Sequence, residues 1–522
     1  MMINTLSIRM CSLMKIISLT QLGLVAAQTA IIVDTGTVFQ QIDGFGVSQA
    51  FGRAKEFQNA AAAPQKQGLD YLFSTTTGAG LTIIRNRIGS GGAGDSIEPT
   101  SPGAPGNTAN YTWDNDDSGQ VWFSKQAMSY GVKTIYADAW SAPGFMKTNN
   151  DQSNGGYLCG TTGHTCSSGD WRQAYANLLA QYVKFYAQSG ITVTHLGFLN
   201  EPDYSVGYSS MLIDVTSAQE ATSFIPTLYQ TLQSNNLGSV KITCCDGMGW
   251  PNQLKMSSAL ISAGMEQYLG TMTSHMYSGD PNSVMNTKLP VWQTEGADLN
   301  SAWCTTWYSS GGACEGMTWA SKIATGILNA NLSAYIYWQG FEVNQPQASS
   351  YLVASLDGAT AIPSGRLWAF AMWSRFVRPG ARRLGTSGTI SSVAIGAFKN
   401  TDGSIVVVFT NSGTSTQSAK VSFSGFAPSA AEAWLTDNTH TVASTGASLS
   451  GGAVTVSLPT KSVVTQSHDK RTEHAQHKHK ECNQQHDDQL WGIRHLLLAL
   501  WTVWGQWVDG TNLLHSGHMQ VL

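Results

Sequence analysis

Charge is scarce in this chain. Only 12% of its 522 residues are Asp, Glu, Lys or Arg, and they nearly balance at a formal −4, so no basic stripe marks a nucleic-acid or polyanion partner. Long apolar runs are lacking too. The stretch from Leu490 to Val508 is too short and interrupted for a membrane span, and the polar residues after it fit a lipid-anchor signal poorly. No spacing among the eight cysteines resembles a zinc site. Gly (53), Trp (17) and Tyr (17) are plentiful instead, which predicts many loops and many flat aromatic faces.

The first 27 residues read as a secretory signal. Arg9 and Lys15 precede an apolar run from Ile16 to Val25, and Val25-Ala26-Ala27 supplies the small residues a signal peptidase needs, with cleavage before Gln28. Met10 or Met14 is an alternative start. Secretion implies an oxidising compartment, in which Cys159 with Cys166 and Cys304 with Cys314 can each close a short local disulfide. The adjacent Cys244 and Cys245 end an apolar strand and remain ambiguous, two buried thiols being one reading.

Beyond the signal, eight extended runs alternate with helical patterns. Phe39 to Val47, Leu81 to Ile88, Lys133 to Ala139, His195 to Asn200, Val240 to Cys245, Thr271 to Tyr277, Pro290 to Glu295 and Ala334 to Trp338 are the strands. Among the helices, Trp171 to Gln188 is the clearest, with an apolar face of Tyr175, Leu178, Leu179, Tyr182, Val183 and Tyr186 and Asp170 as its cap. The economical architecture is an α/β (β/α)8 TIM barrel over residues 41–380, with a doubly wound open sheet as the alternative. From 381 to 466 short β-type runs predict a small sandwich-like β side domain, which the N-terminal strand in 28–40 joins. Its last predicted strand is Ala453 to Leu458, so a chain ended at Gln466 is expected to fold as the full one does. Residues 467–522 read as a tail outside the fold, disordered or a gene-model extension, although its His-rich part could bind metal weakly.

Two of the predicted strands end in a carboxylate. The run His195-Leu-Gly-Phe-Leu stops at Asn200-Glu201-Pro202, and Pro290-Val-Trp-Gln stops at Thr294-Glu295-Gly296. Residues at the C-terminal ends of barrel strands converge on one face, and two carboxylates placed there are the minimum equipment of a glycosidase. The alternative for each Glu is a surface loop residue.

Gly44-Phe45-Gly46, Trp140-Ser-Ala-Pro143-Gly-Phe-Met-Lys147-Thr-Asn, Asn200-Glu201-Pro202, Ser274-His275-Met276-Tyr277 and Trp292-Gln-Thr-Glu295 follow one another in that order. Together they resemble glycoside hydrolase family 30, in particular its fungal xylan-cleaving branch of glucuronoxylanases and xylobiohydrolases, from about Ile31 to Gln466. The resemblance implies a secreted, monomeric, retaining enzyme acting on plant cell-wall xylan, with Glu201 as acid/base and Glu295 as nucleophile. Two carboxylates suffice for that chemistry, so neither metal nor organic cofactor is expected.

By the same resemblance Asn200 bonds the sugar 2-hydroxyl, Tyr277 and Arg85 hold Glu295 ionised, and Trp140 and Trp338 are sugar platforms or, alternatively, core. Arg87 competes with Arg85, since strand alternation points both to one face. His275 is a site residue or a satisfied core histidine. Arg53 clamps the carboxylate of a glucuronic acid branch, or is a helix-surface arginine paired with Glu56. Other activities of the family, a β-1,6-galactanase or β-1,6-glucanase, would share both Glu residues, and a non-catalytic carbohydrate-binding barrel is the alternative of another class. Asn110-Tyr-Thr112 and Asn331-Leu-Ser333 are glycosylation sequons.

Overall fold

The computed structural model describes residues 28–299, 303–343, 350–355 and 358–469; the predicted signal and tail lie outside them. Strand β1 (Thr29–Gln41) leads into β2 (Gly44–Ser48), helices α1 (Arg53–Gln58) and α2 (Ala62–Phe73), β3 (Ile83–Ile88), α3 (Gln120–Ser129) and β4 (Thr134–Ala139). The alternation continues through α4 (Arg172–Gln188), β5 (His195–Gly197), α5 (Gln219–Ser234), β6 (Lys241–Gly247), α6 (Trp250–Ser262), β7 (Thr271–His275), β8 (Val291–Glu295), α7 (Gly316–Asn329) and β9 (Ala334–Val343).

Strands β2 to β9 pair in parallel, and β9 bonds both β8 and β2, which closes an eight-stranded barrel. The closed ring bears out the barrel and removes the open-sheet alternative. Every residue of β2, β3, β7 and β8 is buried, as parallel strands covered on both faces require. A layer of Ile83, Tyr136, Trp292, Ala334 and Ile336 fills the interior. Gly46 is needed there, because a Cβ on it would lie 2.4 Å from the Ile83 carbonyl oxygen.

Around the ring, α4 buries all six of the apolar residues read from its periodicity. The helix starts one residue later than expected, so Trp171 and not Asp170 is its N-cap, and Asp170 Oδ1 accepts from the Arg172 backbone N–H at 3.1 Å from just before it. The long loop at 89–119 is tied down rather than loose, since the Tyr182 and Tyr186 hydroxyls both donate to Asp117 Oδ2 at 2.6 Å. Next to the ring the sequence reading lacks two short strands. β9 runs on to Val343, and β10 (Tyr351–Ser355) pairs in parallel with this extension outside the ring, with β11 (Ala361–Pro363) beside it and α8 (Gly365–Ser374) after it.

The side domain is one sheet built from β12 (Arg382–Ser387), β13 (Val393–Lys399), β14 (Ile405–Asn411), β15 (Gln417–Ser424), β16 (Ala430–Thr436), β17 (Ala443–Thr445), β18 (Ala447–Ser450), β19 (Ala453–Leu458) and β20 (Ser462–Asp469). As expected, the N-terminal strand joins it. β1 lies between β12, antiparallel, and β15, parallel. The sequence reading of its end needs correction: β19 is followed by β20, which sits inside the sheet between β14 and β16 and runs three residues past 466. Its Val-Val-Thr-Gln-Ser-His run mixes apolar and polar residues, which hid it.

All three cysteine pairs are disulfides. Cys159–Cys166 and Cys304–Cys314 close the expected loops, and Cys244 bonds its neighbour Cys245, so the two-thiol reading is not the one found. No helix among the described residues is long and apolar enough to cross a membrane.

Candidate active site

Glu201 and Glu295 face one another at the C-terminal end of the barrel. Glu295 is the last residue of β8. Glu201 follows β5 in a left-handed backbone conformation, φ 47°, which few non-glycine residues adopt, and its N–H donates to the Asp246 carbonyl at 2.9 Å. Both are about 5% exposed. One carboxylate oxygen from each, together with a His275 ring nitrogen, lie within 4.8 Å of one another.

Arg85 organises the floor. Its Nη1 donates to Glu295 Oε2 at 2.5 Å, and its Nη2 donates to Asp138 Oδ2 at 2.7 Å and to Asn200 Oδ1 at 2.6 Å. With its oxygen taken by Arg85, Asn200 keeps its NH2 to donate. Tyr277 Oη donates to the other oxygen of Glu295 at 3.0 Å. Arg87 points the same way as alternation demands, but it bonds Asp95 at 2.5 and 3.1 Å and Ser209 at 3.1 Å, so Arg85 alone of the two reaches Glu295. Burial raises the Glu295 carboxyl above its ordinary range, and His275, Arg85 and Tyr277 oppose that rise.

His275 is fully buried among acids. Its Nδ1 lies 3.0 Å from Glu201 Oε1, and its Nε2 lies 3.4 Å from Asp246 and 3.7 Å from Glu295. Burial alone would lower it, but the Glu295 charge and the bonds to Asp246 and Glu201 outweigh that and raise it to about 10. His275 is thus bonded into the acid cluster and favours its charged form, with the Arg85 Nη2 also 3.4 Å from its Nε2, which removes the plain core-histidine reading. The three groups could together surround a cation, yet Glu295's oxygens are already met by a guanidinium and a phenol.

Sequence reasoning missed four residues here. Asp138 and Asp246 are wholly buried, and Asp246 receives the Tyr136 and Thr294 hydroxyls besides His275. An acid inside an apolar strand needs partners, so Tyr-Ala-Asp138-Ala and Cys-Cys-Asp246 carried that signal. Gly197 makes room for the first, since a Cβ would lie 1.9 Å from Asp138 Oδ1. Phe51 and Tyr208 come from loops and left no such trace. Phe51, φ 54°, is 43% exposed, and its ring meets Trp140, Trp338 and Tyr208 at centroid distances of 5.5, 6.1 and 6.3 Å.

The aromatic assignments shift accordingly. Trp140 is 2% exposed, with the Arg85 guanidinium 4.4 Å from its ring, so it is core in this structure, whereas Trp338 is only partly buried. Arg53 bonds two acids outside the carboxylate pair. Its Nη1 donates to both Glu56 oxygens at 2.5 and 2.6 Å, and its Nε is 3.0 Å from Glu342, so the partner found is the surface-arginine one. Beside Tyr277 the face opens into a hollow of about 630 Å³ whose lining includes Ser278, Asp280, Leu299 and Lys322.

Residues 28–286 match the O-glycosyl hydrolase family 30 and residues 380–466 its beta sandwich domain. Among solved structures, the catalytic domain of a family 30 xylanase C from Talaromyces cellulolyticus is 53% identical with a TM-score of 0.81, over 84% of this chain and all of that one. The chain belongs to glycoside hydrolase family 30. Two curated relatives are more distant. An endo-1,6-β-D-glucanase of Trichoderma harzianum is 29% identical over 34% of this chain and 38% of its own length. A glucuronoxylanase of Bacillus subtilis is 22% identical over 67% of this chain and 78% of its own. As a family 30 member the chain is a glycoside hydrolase.

Proposed function

We propose that this enzyme is a secreted retaining β-1,4-xylanase that cleaves xylan or glucuronoxylan, with Glu295 as nucleophile and Glu201 as acid/base. The observation that carries the mechanism is the short gap between the two carboxylates. Oxygens within 4.8 Å suit the roughly 5 Å separation of retaining enzymes and leave no room for the water that an inverting enzyme places between its carboxyls. In the first step Glu295 attacks the anomeric carbon while Glu201 gives its proton to the departing glycosidic oxygen. In the second, water attacks the glycosyl ester, Glu201 takes the water's proton, and Glu295 leaves as a carboxylate.

Charge balance supports these roles. Burial and the Asp246 charge push the Asp138 carboxyl up, while Arg85 and His275 pull the acids around them toward their charged forms. Two cations and three other acids thus surround Glu201, the setting in which an acid/base exchanges its proton. A non-catalytic barrel would have no use for two carboxylates so placed.

The xylan assignment rests on the 53% identical xylanase. A β-1,6-glucanase is the second reading, favoured by the Trichoderma relative. Secretion rests on the signal-like 1–27 and the three disulfides, and Asn110, which is exposed, is the sequon open to a glycan. Digestion of xylan followed by mass analysis should yield xylo-oligosaccharides with retained β-configuration. Products from β-1,6-glucan alone would overturn the substrate. Glu295→Gln should lower turnover by several orders of magnitude while sparing substrate binding, and an active variant would displace Glu295 as nucleophile.

A further inference from the structure

We propose that Tyr208 positions the working oxygen of Glu201, as the hydroxyl that meets Oε2 whenever that oxygen is not engaged with substrate. The inference rests on the role of Glu201 as acid/base. The two oxygens of that carboxyl are not equivalent. Oε1 lies 3.0 Å from His275 Nδ1, whose N–H faces the carboxyl, so the transferable proton has its place on the other oxygen. It belongs on Oε2. Tyr208 Oη lies 3.4 Å from Oε2, a long bond that Oε2 can leave when it turns to the substrate.

A hydroxyl suits this place because it serves both halves of the cycle. When Oε2 carries the proton, the phenol oxygen can accept from it; after the proton has gone to the leaving group, the phenol O–H donates to the new carboxylate. An imidazolium or an ammonium could do only the second. Tyr208 keeps its own proton throughout, since burial and the charges of Glu201 and Glu295 all push the phenol upward. Its ring is held edge-on by Phe51, whose other face covers Arg87 at 4.4 Å, and the ring is 46% exposed toward the cleft. The groups around Glu201 that bear charge or titrate are His275 on β7, Glu295 on β8, Arg85 on β3 through Asn200, Tyr277 after β7, and Tyr204 and Tyr208 on its own loop. None but Tyr208 reaches Oε2 with a hydrogen bond among the described residues.

The test is Tyr208→Phe, which deletes the hydroxyl and keeps the ring. One hydrogen bond to a carboxylate is worth about 1 kcal/mol, or roughly 0.7 pH unit. The alkaline limb of kcat/KM should therefore move up by about half a unit, while the thermal midpoint stays where it was. On an aryl β-xyloside with a leaving group too acidic to need protonation, kcat should fall three- to tenfold with little change in the rate of the first step, because only the second step then uses Glu201. A ¹³C NMR titration of the Glu201 carboxyl, identified by its loss in Glu201→Gln, needs no substrate and should show the same upward move. A carboxyl titration and an alkaline limb that both stay where they were would overturn the proposal and leave Tyr208 as a wall of the cleft. If instead xylan is the wrong substrate, the digest fails while the titration still reads out.

Discussion

Arg53 shows how far a residue's setting can change its meaning. The sequence placed it where a guanidinium could grip a uronate, but two carboxylates, Glu56 and the nearly buried Glu342, already occupy it. A third carboxylate would meet their repulsion. Arg53→Ala should therefore lower activity on glucuronoxylan and on debranched xylan to a similar extent, and a loss confined to glucuronoxylan would restore the clamp. The stability cost should depend on pH. Burial already raises Glu342 to about 7 against the pull of Arg53, so without that cation it protonates more readily still. The loss should be about 1 kcal/mol at pH 5 and grow as pH rises through 7, readable in urea unfolding at the two ends. Glu201, Glu295, Arg85 and Tyr277 were legible because a polar residue closing an apolar strand has few structural excuses. Phe51, Tyr208 and the partners of Arg53 were not, since loop paths decide them.

At the scale of elements, the loop before α7 carries a device of its own. Glu315 precedes that helix, and its carboxylate accepts the N–H groups of Ser309, Ser310 and Gly311 at 2.8 to 3.0 Å. Burial would raise it, but these backbone donors prevail and lower it to about 2. The folded value thus lies below the unfolded one near 4.3, so this stability is complete above that pH and is lost as pH falls from about 4.5 toward 2. Glu315→Gln should cost about 2 kcal/mol at pH 7 and progressively less in acid. Equal costs at pH 7 and pH 3 would show that the carboxylate's charge is not what holds the loop. Strands and helices of the barrel were readable because buried parallel strands and amphipathic helices write different periods. β10 was not, being a five-residue apolar run in a region without a period, paired outside the ring with the extension of β9 and with the three-residue β11.

The whole molecule is joined at its two ends. In chain order β1 enters the side sheet before the barrel begins and β20 enters it after all its other strands, with rungs to β14 on one side and β16 on the other. β20 also reaches the barrel, for Thr465 Oγ1 donates to the Met372 carbonyl of α8 at 2.7 Å, and the Trp307 indole donates to the Lys461 carbonyl at 2.7 Å. A chain ended at Gln466 would lose Ser467, His468 and Asp469, and with them the pairing to Ile405 and Val406 and to Ala430, Ala431 and Glu432. His468 is fully buried with its ring 4.8 Å from Phe423, so its removal opens the sheet's packing as well as its ladder. Ending the chain at Asp469 removes none of this. The full chain and the one ended at Asp469 should therefore unfold at the same temperature, while the one ended at Gln466 should lose about 3 to 5 kcal/mol and unfold roughly 3 to 5 °C lower. Calorimetry on the three chains decides it: equal midpoints for all would mean that the last three rungs of β20 contribute nothing, and a low midpoint for both shorter chains would mean that residues beyond 469 bear on the fold.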